Sequence, residues 1–244
     1  IWVVAIPLSL AVMRTRPSDM GLFPDGDPDD AEWLRTSEAK RVEGQSYSLR
    51  QAAGTAALYL MGISFFLSGF SNTGALHAPV PFLEDIGFPT ATAAAALGTL
   101  GLGSATGKVF FGWLCDRVPP KRAAGLGLTL QLAGVLVLLS IRADSSPALI
   151  WAYALLLGFG LGSWLPTMSM LVSTTFGLAC YGAIFGVVSF LESAGTSVGP
   201  LFAGLMFDAT GTYYHAFVTF AALYAVAIPA ILLVKRPQRQ AASD

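Results

Sequence analysis

Two charged residues, Lys108 and Glu192, stand inside long apolar stretches of the sequence. An ionisable side chain in hydrocarbon costs roughly 2.5 to 3.5 kcal/mol on the insertion scale and marks an ion or substrate path by default. Lys108 precedes Asp116 by eight residues, and Glu192 follows Ala183 by nine. At the helical rise these separations are about 12 and about 14 Å from one boundary. Opposite charges at one depth fit an ion pair, or a lysine held for a ligand carboxylate with a proton exchanged between lysine and glutamate. The structural alternative is a snorkelling lysine and a glutamate engaged only in helix packing. Around them run two polar stripes at helical spacing, Ser64, Ser68, Ser71, Asn72 and His77, then Ser189, Glu192, Ser193, Thr196 and Ser197. Polar stripes in lipid face a protein interior or a wet cavity. The ligand- or ion-contacting candidates are therefore Lys108, Glu192, Asn72, Ser68, His77, Ser189 and Thr196. A single hydroxyl bonds its own helix carbonyl more readily than a ligand, and His77 reads equally as an interfacial residue or a proton relay.

Enzyme chemistry finds no support. There is no His-Glu-x-x-His, no intramembrane aspartate pair, no Cys/His metal spacing and no Ser/His/Asp set, with only 2 histidines present. No catalytic residue, metal or cofactor is expected. Gly158, Gly160, Gly162 and Pro166 miss the dinucleotide spacing and point to a bent helix instead. No basic patch for nucleic acid exists.

The elements that must carry these residues are set by composition. Of 244 residues, 54% are hydrophobic and 12% charged, with a mean hydropathy of +0.63, against about 25% charged in a soluble domain. Six stretches reach the roughly 17 to 25 apolar residues a bilayer crossing needs. They run approximately from Thr55 to Ala78, Ala91 to Leu114, Ala123 to Ile141, Ala148 to Val172, Ala183 to Phe207 and Ala216 to Val234. An apolar opening, Ile1 to Met13, reads as the end of a truncated span. Of 14 Lys and Arg, twelve fall on one side of these crossings and only Arg142 on the other, leaving Lys108 inside. The basic side is cytoplasmic by the positive-inside rule. Glu84, Asp85, Asp144 and Asp208 then lie outside, and both cysteines, Cys115 and Cys180, sit at the cytoplasmic boundary as free thiols.

The polar stretch from Arg14 to Gly54 holds eight acidic and six basic residues and reads as a linker, with Ser48 and Gln51 as a capping box opening the first span. Shifting the sequence by 92 residues lays Gly103, Gly107, Gly112 and Asp116 on Gly195, Gly199, Gly204 and Asp208. Glycine-rich helices produce some coincidences, but four identities at one shift, with the flanking spans also in register, describe a repeat. A repeat of three crossings must run in opposite senses through the bilayer.

Gly112-Trp-Leu-Cys-Asp116-Arg117-Val-Pro-Pro-Lys121-Arg122 resembles the Gly-x-x-x-Asp-Arg-x-Gly-Arg-Arg loop of the major facilitator superfamily, with Pro119 in place of the glycine. Arg16 to Gly26 and Gly199 to Gly211 look like segments of its monocarboxylate and oxalate/formate branches. The resemblance implies an all-α polytopic membrane protein, with six transmembrane helices as a 3+3 inverted repeat. The divisions would be 1–13 (end of a preceding span), 14–54 (cytoplasmic central linker), 55–234 (C-terminal transporter half) and 235–244 (cytoplasmic tail). It further implies a secondary transporter of the inner (plasma) membrane that moves a small organic anion by alternating access, completed by a missing N-terminal half. An efflux transporter for varied amphiphiles is the alternative within the same superfamily. Gly112, Asp116, Arg117, Lys121 and Arg122 would form a cytoplasmic gating motif, with Asp116 accepting hydrogen bonds from a neighbouring helix N-terminus. Lys108 stands where those branches resemble one another in carrying a cation, mostly arginine, that meets the substrate.

Overall fold

A computed structural model describes residues 46–237. The segments expected as the end of a preceding span, 1–13, most of the expected linker, 14–54, and the last residues of the expected tail lie outside the described residues. Among those described, the regular elements are all helical: α1 (Leu49–Ala53), α2 (Ala56–His77), α3 (Pro79–Ile86), α4 (Thr90–Cys115), α5 (Pro120–Ser140), α6 (Pro147–Leu161), α7 (Trp164–Phe176), α8 (Tyr181–Thr210) and α9 (Tyr214–Leu232).

Proline and glycine punctuate them. Pro79, Pro120 and Pro147 open α3, α5 and α6 at a position where the missing N–H costs nothing. Gly87 and Gly211 close α3 and α8 in the left-handed region, φ 107° and 69°. The Ser48 and Gln51 capping box forms, but it opens the five-residue α1, and the long α2 starts only after Thr55. Gly54 separates the two helices. The crossing expected from Ala148 to Val172 is divided between α6 and α7 at Gly162 and Ser163. The short α3 was not expected from periodicity.

Four segments are long and apolar enough to cross a membrane by length and composition: α5, the α6–α7 run from Pro147 to Phe176, α8 and α9. α2 and α4 have the length but not the apolarity of the other four, because α2 carries its serine stripe and α4 is rich in Ala, Gly and Thr and holds Lys108. Both of these least apolar rods contribute to the wall of the cavity described below.

Counting α6 and α7 as one rod gives six rods whose pairing respects the 92-residue repeat. α2 packs on α8 as α6 packs on α4, and α2 packs on α9 as α6 packs on α5. The remaining major contact, α5 with α9, maps onto itself. Exchange of the two triplets therefore preserves the packing. Glycines set the closest approaches. A methyl group on Gly107 of α4 would stand 2.3 Å from the Phe159 carbonyl and 3.2 Å from Gly162 Cα, and one on its repeat mate Gly199 would stand 2.1 Å from the Phe70 carbonyl. Small residues four apart let helix backbones meet in this way. Gly112 and Gly204, the third matched pair, face open space.

Successive rods alternate in direction, so helix ends gather at two poles. One pole is tied together by Tyr47, whose N–H donates to the Phe176 carbonyl at 2.8 Å and whose hydroxyl donates to the Pro237 carbonyl at 2.7 Å. Arg50, Arg117, Lys121, Arg122, Lys235 and Arg236 stand at this pole. The other holds Glu84, Asp85, Asp144 and Asp208 with Arg142 as its one basic residue among those described.

Candidate functional site

Between α2, α4, α7 and α8 lies a cavity of about 430 Å³, whose walls include Asn72, Ser104, Lys108, Trp164, Glu192 and Thr196. Its size is that of a small-molecule pocket. Asn72 with Trp164, Ser104 with Thr196, and Leu100 with Glu192 all line it, and each pair is one repeat length apart in sequence. The cavity thus sits across the axis that relates the two triplets, where inverted-repeat transporters hold their ligands. Lys108 and Glu192 break that symmetry, since their repeat mates are Pro200 and Leu100.

Four of the seven predicted contact residues, Asn72, Lys108, Glu192 and Thr196, meet in this cavity. Lys108 is exposed and Glu192 is buried, 8% accessible. Both charges face one space, yet no ion pair within 4.0 Å joins them. Glu192 owes its fit to Gly69 of α2, where a methyl group would come within 2.7 Å of the Glu192 carbonyl oxygen and 3.4 Å of its Cγ.

The serine stripe of α2 mostly holds the fold. Ser64 donates to the Ala227 carbonyl of α9 at 3.0 Å, Ser71 to its own Leu67 carbonyl at 2.9 Å, and Ser68 to Phe65 at 3.3 Å. On α8, Thr196 donates to Ser193 at 2.8 Å and offers its own carbonyl to Thr73 at 2.8 Å. Ser68 faces a smaller chamber behind the cavity, shared with Ser64, Asn72, Gln131, Ser163 and Trp164. His77 and Ser189 stand apart from these residues. His77 is exposed at the last residue of α2, at the acidic pole, and neither residue lines the cavity. A helical stripe spreads over more arc than one cavity spans, so its outermost members turn elsewhere.

Sequence reasoning missed Trp164, Ser104 and Gln131. The repeat held the signal for the first two, which are the mates of Asn72 and Thr196. Gln131 donates from Nε2 to the Gly160 carbonyl at 2.9 Å, while its buried Oε1 and the indole Nε1 of Trp164 take no hydrogen bond. Both residues line the small chamber, which has room for about one water molecule.

Asn72 belongs to both spaces, and its orientation is fixed by Tyr224, a fully buried residue of α9 that donates its hydroxyl proton to Asn72 Oδ1. That leaves the Asn72 amide nitrogen as the donor for the cavity. Replacing Tyr224 by Phe keeps the ring packing and orphans a buried acceptor, a loss of about 1 to 3 kcal/mol. Tyr224→Phe is expected to lower the unfolding midpoint in detergent. An unchanged midpoint would show that this hydrogen bond does not hold Asn72 in place.

At the basic pole, Arg117 stacks 4.1 Å over the Trp113 ring and donates to the Trp113 carbonyl at 3.2 Å. Asp116 is exposed and accepts no hydrogen bond from α5, whose opening residues Pro119 and Pro120 carry no N–H.

Similarity to known proteins gives the arrangement a family. Monocarboxylate transporter 13 of Rattus norvegicus is 30% identical over 164 residues, 67% of this chain and 36% of that protein. Monocarboxylate transporter 12 of Homo sapiens is 26% identical over 209 residues, 85% of this chain and 40% of that protein. Inorganic phosphate transporter 1-4 of Arabidopsis thaliana is 30% identical over 165 residues, 60% of this chain and 30% of that protein. The chain spans well under half the length of these curated relatives. The sequence pattern of the Major Facilitator Superfamily matches residues 60–244. Covering most of the chain and carried on an all-helical bundle whose two triplets pack alike, that match means that this protein belongs to the Major Facilitator Superfamily.

Proposed function

We propose that the chain is the C-terminal half of a secondary active transporter that moves a small organic anion, a monocarboxylate first, by alternating access. The observation that carries this reading is a cation, Lys108, in a cavity walled by both repeat triplets, beside hydroxyl and amide groups able to orient a carboxylate. The relatives' names, monocarboxylate and inorganic phosphate transporters, both describe anions. Lysine supplies a point charge where a bidentate arginine would grip both oxygens, which favours a small anion held by several partial contacts. Glu192, on the opposite wall, is the group for a coupled proton. Asp116 and Arg117 belong to the gate between the halves.

The orientation that accompanies this reading sets the pole of Arg117, Lys121 and Arg122, with the linker and C-terminus, in the cytoplasm and the acidic pole outside. The membrane is the inner (plasma) membrane.

The test is uptake by liposomes containing the full-length protein, challenged with a panel of radiolabelled carboxylates with and without an inward proton gradient. Saturable monocarboxylate uptake that rises with the gradient is expected. Flux of amphiphilic cations with no carboxylate uptake would overturn the anion assignment and favour the efflux alternative.

A further inference from the structure

We infer that the small chamber behind the cavity is a binding site for one water molecule, which joins Trp164 of α7 to Gln131 of α5 and so sets the Trp164 ring in the cavity wall. The chamber lies among α2, α5, α7 and α9. Among the described residues that line it, none is charged. Two buried atoms there require a ligand. They are Oε1 of Gln131, a residue 1% accessible, and the indole Nε1 of Trp164, and neither has a hydrogen-bond partner among the described residues. Buried polar atoms in native proteins are paired, and ordered water pairs those that the protein itself does not reach.

One of the two atoms is an acceptor and the other a donor. A water serves both, accepting from the indole N–H and donating to Oε1. Its second proton has neighbours to choose from, because Ser64, Ser68 and Thr167 direct their own protons to the carbonyls of Ala227, Phe65 and Ser163 and present only lone pairs to the chamber. An alkali cation would use these oxygens but meet the positive end of the indole N–H, with no carboxylate in the wall to offset its desolvation. Trp164 opens α7 directly after the break at Gly162 and Ser163, and it lines both the chamber and the cavity. Gln131 lines the chamber alone. Its Nε2 is fixed on the Gly160 carbonyl near the end of α6 at 2.9 Å, which leaves Oε1 as the free end of the amide. Gln131 is therefore a positioning residue that holds both sides of the break, α6 directly and the first ring of α7 through the water.

The inference is independent of which solute is carried, and so is its test. The full-length protein in detergent, with isotope-labelled tryptophan indoles, is studied by NMR, and the Trp164 resonance is the one lost in Trp164→Phe. A cross-peak from that indole proton to a long-lived water is expected. Gln131→Met keeps the length of the side chain, and the Gly160 carbonyl keeps its bond from the Ser163 N–H at 3.0 Å. This variant should weaken the cross-peak about five-fold, the contribution of one neutral hydrogen bond. It should also shift the Trp164 indole proton upfield while the other indole resonances stay in place. Ala124→Val, which fills the chamber from another part of α5, should abolish the cross-peak with Gln131 intact. Absence of the cross-peak in the folded wild-type protein overturns the site, whatever the variants do. A cross-peak and an indole shift both unchanged in folded Gln131→Met overturn the bridge and the positioning role. Loss of the cross-peak when sodium chloride replaces choline chloride at equal ionic strength would give the chamber to a cation and overturn the water. A failure of carboxylate uptake, by contrast, bears only on the large cavity.

Discussion

Lys108→Ala in the full-length protein is expected to cut the proposed carboxylate transport ten- to hundred-fold while expression and folding stay at the wild-type level. A hydrogen bond to a charged group contributes about 1.5 to 3 kcal/mol, and each 1.4 kcal/mol is a factor of ten. Lys108 is exposed to the cavity and is engaged in no ion pair with Glu192, so its removal breaks no contact that holds the bundle. The loss should therefore fall on solute handling and spare the unfolding midpoint. Lys108→Arg keeps the charge and should keep measurable flux. Lys108→Glu places an anion where the proposed solute anion would sit and should be the most severe. Because no ion pair joins the two residues, Lys108→Glu with Glu192→Lys is expected to stay inactive. Wild-type flux in Lys108→Ala would defeat the functional assignment, and recovery in the double reversal would show the two charges to be partners in another conformation of the cycle.

The second large effect concerns the glycines of the repeat. Gly107→Ala and Gly199→Ala each put a methyl group 2.1 to 2.3 Å from a backbone carbonyl of the neighbouring helix. A backbone atom in a packed helix cannot swing aside, so the helices must separate, at a cost of about 1 to 3 kcal/mol or more for each. Gly112→Ala and Gly204→Ala meet nothing within 4 Å and gain helix propensity, up to about 1 kcal/mol. Unfolding followed by tryptophan fluorescence against a denaturing detergent should rank the first two well below wild type and the second two at or above it. If all four behave alike, close approach is not what the matched glycines are for. Gly112→Ala also has a transport readout: a flux defect without a stability defect would attach Gly112 to the gating loop, since its space within this half is open.

The order and approximate bounds of the six long rods were legible in the chain, because a bilayer imposes a length on each apolar run. The runs from Ala91 to Leu114 and from Ala123 to Ile141 differ from α4 and α5 by only a few residues at their ends. The repeat was legible for a similar reason. Helices that pack alike need small residues at the same places, so Gly103 and Gly107 return as Gly195 and Gly199. The break between α6 and α7 was only half visible. Its glycines were noticed as a bend, but they also serve close approach: Gly158 meets the Leu100 carbonyl of α4, and Gly160 meets Gln131 of α5.

The sequence by itself determined which residues were costly to bury and how far along its helix each one stands, since that distance follows from counting residues at a fixed rise. Lys108 and Glu192 were found that way. Only the tertiary structure decided which side chains share a space, because that depends on the azimuth of one helix against another, and no single-chain periodicity carries it. Azimuth turned Ser64 and Ser71 toward the carbonyls of α9 and left His77 at a pole. It brought Trp164, an ordinary apolar residue in the sequence, to face Asn72 across the repeat axis. The same limit applies at the basic pole, where Lys121 and Lys235, 114 positions apart in sequence, line one pocket because α5 and α9 pack against each other.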